Sequence, residues 1–457
     1  MNYLIVTPRL SVIGICLLLF VFPQTKATGG SNPVTLSFAN GTSLNGTATP
    51  SALPATDVAH QRGRPLIGVE RWDMYSGAGP TQGQELGYLP GGSAFLKPEE
   101  WHNRAPFFCR LTQDVTWLTH PAGAGPLWFN YPFNQELLQK SMDQEIRYAY
   151  DAGIDFFIYH GPSTRITNPS GWSLNRNLQA QMSSQIPEAK KMHFVWALYG
   201  ENPAMKYTRS RVGTMMDETI EYIKMPNWQK VMDDRPLVIV FYPEHFTKQL
   251  AEAPKNEQMT GNELVDYIRK RVTDAGMKNP YVVGMAISGY DQAADYKKWG
   301  YDAFMNYDGS YGGKVAKRDA SPTYAEATAS ITDVLEKKFS ATGLPYIPPF
   351  SSMMYPWPRA IDKKTHTIEE KHYHYQWPKK GDMAARIKTA LDYVSSHPKE
   401  CEAQVLSIYS WNECSEGGGL IPTMGKPPEY QPDTTWLDEV AGALAAWKYP
   451  PSTLPKE

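Results

Sequence analysis

Cysteine is scarce in this chain, four in 457 residues. One of them, Cys16, lies in an apolar N-terminal stretch, which leaves Cys109, Cys401 and Cys414. An odd number in an exported chain leaves at least one free or bonded between molecules. Cys109 with Cys401 is the pair to test first, although no pairing follows from sequence alone. A surplus of either charge is lacking too: 45 basic residues face 47 acidic ones, for a net charge of −2. No broad field therefore favours nucleic acid or an anionic membrane. The apolar run Val12 to Phe22 is short for a membrane span. A His-Glu-x-x-His pair, a phosphate loop and a G-x-S-x-G elbow are all missing, which removes the common sequence signals for zinc hydrolysis, nucleotide binding and serine nucleophiles.

What the N-terminus does have is a leader pattern. Arg9 precedes the apolar run, and Thr25-Lys26-Ala27 supplies a small-x-small site. Residues 1–27 thus read as a secretory signal peptide cleaved after Ala27. Cys16 follows Ile15 rather than a small residue, which argues against lipoprotein processing. The expected destination is outside the cytoplasm: secreted, periplasmic or at the cell surface, with no integral membrane segment once the leader is removed. Residues 28–62 are rich in Ser, Thr, Gly, Ala, Asn and Pro without periodic apolar positions, the composition of a flexible spacer. Asn40-Gly41-Thr42 and Asn45-Gly46-Thr47 are formal glycosylation acceptors there. The folded domain is expected over 63–457.

From residue 65 onward, short apolar runs alternate with helical periodicity. Strands are predicted at 65–69, 154–160, 193–199, 236–242, 280–286, 303–308, 345–350 and 405–410. Between them, Leu138, Met142, Ile146 and Ala149 share one helix face, as do Leu264, Ile268 and Val272, and Ile387, Leu391 and Val394. Further helices are predicted around 177–190, 212–232, 322–339 and 436–447. Two long irregular insertions, 74–132 and 351–381, interrupt the alternation; loops of that length are usually lids or binding loops. The strands do not alternate cleanly, which implies burial on both faces and a parallel sheet. Eight βα units predict an α/β fold, a (β/α)₈ TIM barrel with long βα-loop insertions. A doubly wound open sheet is the alternative.

Polar residues gather where these strands end: Glu70, His160, Glu201, Glu244, Asn306, Asp308, Glu413 and Glu416. A barrel brings such positions to one rim. The densest group follows the last strand, in Trp411-Asn412-Glu413-Cys414-Ser415-Glu416-Gly417-Gly418-Gly419. Two carboxyl groups are the usual equipment for cleaving a glycosidic bond. The Trp411 indole offers a flat apolar face to a pyranose ring, Asn412 can fix a hydroxyl, and the glycines let the backbone turn and approach a ligand. The other reading of such a turn is a solvated loop or helix start, where Glu satisfies orphan N–H groups. His160 and Glu201 each have a bland alternative, as a hydrogen-bonded rim histidine and a structural ion pair. His366, His372 and His374 cluster in a Lys-rich loop without ligand spacing, so no metal and no cofactor is expected. Tyr355, Trp357, Tyr373, Tyr375 and Trp377 in the same insertion suit a sugar cleft or the packing of the loop.

Trp411-Asn412-Glu413-x-x-Glu416-Gly417, followed by Leu420-Ile421-Pro422-Thr423, resembles the WNEWxEG…IEP signature of family-99-like glycoside hydrolases, which include endo-α-mannosidases and endo-α-mannanases. The resemblance in order of elements spans about 64–448, and the specific part is 411–423. It implies that Glu416 matches the general acid/base. Glu413 matches the residue proposed to deprotonate the sugar 2-hydroxyl, giving retention through an anhydro-sugar. Cys414 replaces an aromatic of the signature, and the first strand ends in Glu70-Arg71-Trp72-Asp73 rather than in a tyrosine-rich segment.

The expectation is an exported glycoside hydrolase that cleaves an α-linked polysaccharide or glycan. Glu416 and Glu413 are its catalytic pair, and Trp411, Asn412, Glu201, His160, Glu70, Tyr242, Asn306, Tyr307 and Trp357 line the substrate site. A non-catalytic carbohydrate-binding barrel and a sugar transferase of polysaccharide biosynthesis remain as alternatives.

Overall fold

The barrel strands of the computed structural model are β1 Leu66–Trp72, β2 Phe156–His160, β3 His193–Tyr199, β4 Arg235–Phe241, β5 Tyr281–Ala286, β6 Ala303–Asn306, β7 in two pieces, Tyr346–Ile347 and Pro349–Ser351, and β8 Val405–Tyr409. The structure describes residues 63–72, 103, 106–108, 116–118, 128–130, 135–161, 176–200, 206–287, 290–307, 316–317, 322–352, 371–372, 376–414, 418–426 and 431–450. The expected leader and spacer and most of both insertions lie outside them. All neighbouring barrel strands pair in parallel, in the order β6-β5-β4-β3-β2-β1-β8. β7 closes the circle. Its first piece pairs with β6 and its second with β8, with Pro348 between them. A proline has no N–H for a ladder, and this is where the strand changes partner.

Around the barrel run α1 Gln135–Asp151, α2 Arg176–Ser183, α3 Arg209–Ile223, α4 Pro243–Ala251, α5 Gly261–Asp274, α6 Ala293–Trp299, α7 Tyr324–Val334, α8 Asp382–Ser396 and α9 Thr435–Ala446. The expected faces of α1, α5 and α8 are the buried ones. Two helices are shorter than their periodicity predicts. α2 stops at Ser183, and a separate 3₁₀ turn starts at Pro187, because the residue before a proline is pushed out of the helical region. α3 ends at Ile223. The segment after it, which reads as helix by pattern, supplies Lys230–Val231, a two-residue strand antiparallel to β4. Met232, Asp233 and Asp234 make that reversal with φ of 37°, 50° and 66°.

Alternate residues of each strand face opposite sides. One parity faces the helices: Trp196 meets Tyr222 of α3, Phe304 meets Tyr296 of α6, and Tyr346 meets Tyr393 of α8. The other parity fills the barrel, where Trp72 of β1 reaches across to Phe241 of β4.

The floor of the barrel uses one device twice. Asp155, just before β2, donates its N–H to Ile67 O at 3.0 Å and accepts the Ile67 N–H on its carboxylate at 2.7 Å. Asp302, before β6, does the same with Val282, at 2.8 Å in both directions. Arginines neutralise both carboxylates: Arg64 at 2.6 Å from Asp155, and Arg235 and Arg269 at 2.9 and 2.8 Å from Asp302. Asp155→Ala strands the Ile67 N–H and the Arg64 charge in a buried place. It is expected to cost about 3–5 kcal/mol, read as a lowered denaturant midpoint at unchanged slope. A midpoint within about 0.5 kcal/mol of the parent, the range of neutral surface changes, contradicts this role.

Candidate functional site at the carboxyl end of the barrel

The segment after β8 folds back on itself. Ser410 N–H donates to Gly418 O at 2.8 Å, Leu420 N–H to Ser410 O at 3.0 Å, and Ile421 N–H to Trp411 O at 2.8 Å. Glu413 sits inside this reversal, its N–H bonded to Ser410 Oγ at 3.1 Å and its carbonyl to Gly418 N–H at 3.1 Å. The peptide bond Tyr409–Ser410 is cis. Gly418 and Gly419 serve the reversal itself, while Gly417 lies outside the described residues. A Cβ on Gly418 comes within 2.6 Å of the Tyr409 ring, and one on Gly419 within 2.6 Å of Cys414 Sγ. The expected approach to a ligand is here an approach of the loop to its own strand. Residues 106–108 of the first insertion are stapled to the far arm, through Phe107 N–H on Pro422 O at 2.8 Å.

Glu413 lies at the mouth, 4 % exposed. Tyr307, just past β6, donates its hydroxyl to Glu413 Oε2 at 2.7 Å. The same hydroxyl accepts the indole N–H of Trp72, the last residue of β1. Trp72 is ringed by aromatics: it stacks on His160 at 5.0 Å and meets Tyr199, Phe241 and Tyr307 edge-on at 5.8, 6.0 and 6.1 Å. Tyr409 closes on Tyr307 at 5.0 Å. Trp72, Tyr199, Tyr307 and Glu413, each nearly buried, thus form one set of contacts at the carboxyl end of the barrel, which we call its mouth.

Glu70 and His160, expected on the rim, lie beneath it. Glu70 is inside β1 rather than past it and is fully buried; its carboxyl takes the Ser407 hydroxyl at 3.1 Å and faces His160 Nε2 at 2.9 Å. Full burial holds the His160 imidazole neutral and lowers its pKa to about 3, while among the described residues its Nδ1 has no hydrogen-bond partner.

Three other expectations need correction. Trp411 offers no face to a sugar: it is fully buried toward the helices, with its indole N–H on Glu145 of α1 at 2.8 Å and its ring against Phe157. Glu145 is itself held by Arg71, at 2.9 Å. Asn412 is occupied by backbone, accepting the Trp72 N–H at 3.0 Å and donating to the Trp72 carbonyl at 2.7 Å. It acts as one more rung of the β1–β8 ladder. Asn306 is fully buried and shares the parity of Phe304, on the helix side of β6; the next residue, Tyr307, is the one turned inward. In each case the residue was read by type; alternation along the chain turned Trp411 and Asn306 toward the helices, and the backbone of Trp72 took up Asn412.

Tyr242 stands at the rim, half-buried, as the N-cap of α4 with φ of 57°. Its N–H is fixed on Met285 O at 2.7 Å and its ring lies 5.2 Å from His245. Glu244 turns away into the gap between α4 and α6, where it takes the Tyr296 hydroxyl and where burial raises its pKa. Cys401 is a buried free thiol that burial pushes far above the usual range, and Cys109, the partner expected for it, lies outside the described residues. Glu416, Glu201, Trp357, Asp308, His366, His374 and Cys109 lie outside the described residues. Among the described residues no group of three or more His, Cys, Asp or Glu side chains is placed to hold a metal.

Sequence reasoning missed Trp72 and Tyr199 as site residues. A signal for Trp72 was present, since it stands two positions after Glu70 and period two puts both on the inner face.

No protein-family model and no curated protein sequence matches the chain. Solved structures of similar chain course include a GH99 endo-α-mannosidase from Bacteroides thetaiotaomicron, at 14 % identity and a TM-score of 0.41, covering 67 % of this chain and 79 % of that one. A glycoside hydrolase-like protein matches at 13 % identity and a TM-score of 0.46, covering 86 % and 97 %. A GH5-4 broad-specificity endoglucanase from Clostridium longisporum matches at 10 % and 0.42, covering 86 % and 99 %. At these values the reading of the site rests on its own residues.

The buried imidazole gives a pH dependence with a definite sign. In the unfolded chain His160 takes a proton near 6.5, and in the folded chain only near 3. Between those values the unfolded state binds more protons, so this part of the stability is full above about 6.5 and is lost on acidification. Between pH 6.5 and 4.5 the loss is expected to be about 2–3 kcal/mol. His160→Gln should flatten the denaturant midpoint against pH in that interval by this amount. An unchanged slope means that the imidazole is not held neutral.

Proposed function

We propose that the chain is a glycoside hydrolase that cleaves an α-linked polysaccharide or glycan at the carboxyl end of its barrel. The observation that carries this is Glu413: a carboxylate from the strand-8 reversal, oriented by Tyr307 at 2.7 Å, beside a cluster of aromatic rings at the strands' carboxyl ends. Rings with polar tips suit a sugar, which presents apolar C–H faces and hydroxyl edges. The motif supplies Glu416 three residues on as the general acid/base, with Glu413 as its partner. By resemblance to the family-99-like hydrolases, the finer reading is endo-acting hydrolysis of a mannan-type chain with retention. The leader at 1–27 fits a substrate met outside the cytoplasm. Tyr307, Tyr242, Glu201 and Trp357 are proposed as substrate contacts. Trp411, Asn412 and Asn306 are not.

In this assignment one carboxyl group donates a proton to the departing oxygen while the other stays ionised. Tyr307 favours the ionised form at Glu413, since a hydroxyl donated to a carboxylate stabilises its charge. The experiment is to screen the protein on α-mannans and other α-glycans with analysis of the products, then to assay Glu413→Gln and Glu416→Gln on the substrate found. Each variant should keep its circular dichroism spectrum and lose about 10²–10⁴ in turnover. The Glu416 variant should recover most on substrates with activated leaving groups, which need no proton. Near-native rates in both variants place the chemistry elsewhere. Saccharide binding with no turnover in the parent makes the barrel a binding protein.

A further inference from the structure

We propose that Trp72 is a positioning residue, whose indole N–H fixes the direction of the Tyr307 hydroxyl and so keeps Glu413 a carboxylate. This rests on the reading of Glu413 as the ionised partner and adds a residue that the signature motif does not contain. Indole Nε1–H can only donate, while a phenol has one proton and accepts on its oxygen. With Trp72 donating to the Tyr307 oxygen, the phenolic proton is directed at Glu413 Oε2, 2.7 Å away. An ionised carboxylate accepts it in a charge-assisted bond, roughly twice as strong as a neutral one. A proton arriving on Oε2 meets the Tyr307 proton head-on, so the hydroxyl must turn away and its bond to the carboxyl is lost. A proton on Oε1 leaves Oε2 a weaker acceptor. Either way the neutral form loses.

The indole is held to this task from several sides. Asn412 bonds both polar atoms of the Trp72 backbone, at 3.0 and 2.7 Å. His160 stacks on one face of the ring and is held from below by Glu70, which itself accepts the Ser407 hydroxyl. Tyr199 and Phe241 set its edges. Among the described residues, the titratable groups around this line are Glu70 and His160 beneath it, Tyr199 and Tyr409 beside it, and Cys414 next to Glu413. Arg71 and Glu145 pair on the opposite side of β1. All are retained in Trp72→Phe, which keeps a ring on His160 and removes the donor.

The test reads Glu413 directly. A water-soluble carbodiimide labels carboxyl groups in their protonated form, and peptide mass spectrometry locates the label at Glu413 across a pH series. Relative to the parent, the labelling midpoint should rise by about one pH unit in Trp72→Phe and by at least as much in Tyr307→Phe. The acid limb of kcat/KM should move by the same amount in the same direction, which a merely structural role for Trp72 does not produce. A midpoint in Trp72→Phe equal to the parent's overturns the proposal. If Trp72→Phe does not fold, the indole N–H signals of the ¹⁵N-labelled parent decide. One of the thirteen tryptophans should titrate with the Glu413 midpoint and lose that dependence in Glu413→Gln, and the absence of such a signal overturns the proposal. Shifted labelling in a protein that hydrolyses no glycan upholds the hydrogen-bond chain and removes the hydrolase reading.

Discussion

The structure depends on the seam between β1 and β8. Four parallel rungs join the two strands, Leu66 to Val405 through Val69 to Ile408. The pairing then continues past the end of β8, first through Trp411 N–H on Glu70 O at 2.7 Å and then through the two bonds from Asn412 to Trp72. That extension fixes where Glu413 emerges relative to Trp72. An amide side chain reproduces both halves of a peptide group, so Asn412 continues the ladder where the backbone turns away. The seam joins residues 340 positions apart in sequence, and without it the carboxylate and the aromatic mouth have no common frame.

Polar groups are buried on both sides of this seam, and the carboxylate on each side is answered. On the helix side Arg71, Glu145 and the Trp411 indole form one cluster. Inside the barrel Glu70 is met by Ser407 and His160. Breaking one member of such a set is costly, because the partner keeps its desolvation penalty. The same burial keeps the His160 imidazole neutral, so it packs against Trp72 as a flat ring. A residue expected to line the substrate site thus works as support beneath the mouth.

The order of elements was readable because it rests on local pattern: β-branched and aromatic runs between amphipathic helices, eight times over. All eight strands stand within a few residues of their expected places. The register and its consequences were not readable. Trp411 looked like a sugar platform because indoles often are, yet one step along a strand reverses a side chain, and this indole faces α1. Asn306 and Tyr307 differ by that same single step. Asn412 looked like a hydroxyl ligand because nothing local shows that a backbone from residue 72 will arrive beside it. Long-range contacts of this kind are set by closure of the barrel and leave no trace in a window of sequence. The shortened α2 and α3 were missed for a local reason, since Pro187 and Pro226 outweighed the helical periodicity around them.

The central claim is that a saccharide is handled at the mouth where Glu413, Tyr307 and Trp72 meet. The most direct measurement is a crystal structure of Glu416→Gln with a bound oligosaccharide from the substrate screen. The account predicts a pyranose ring at the aromatic mouth with a sugar hydroxyl within hydrogen-bond reach of Glu413, about 2.6–3.2 Å. An oligosaccharide bound away from the carboxyl end of the barrel, with Glu413 still joined only to its own chain, contradicts it.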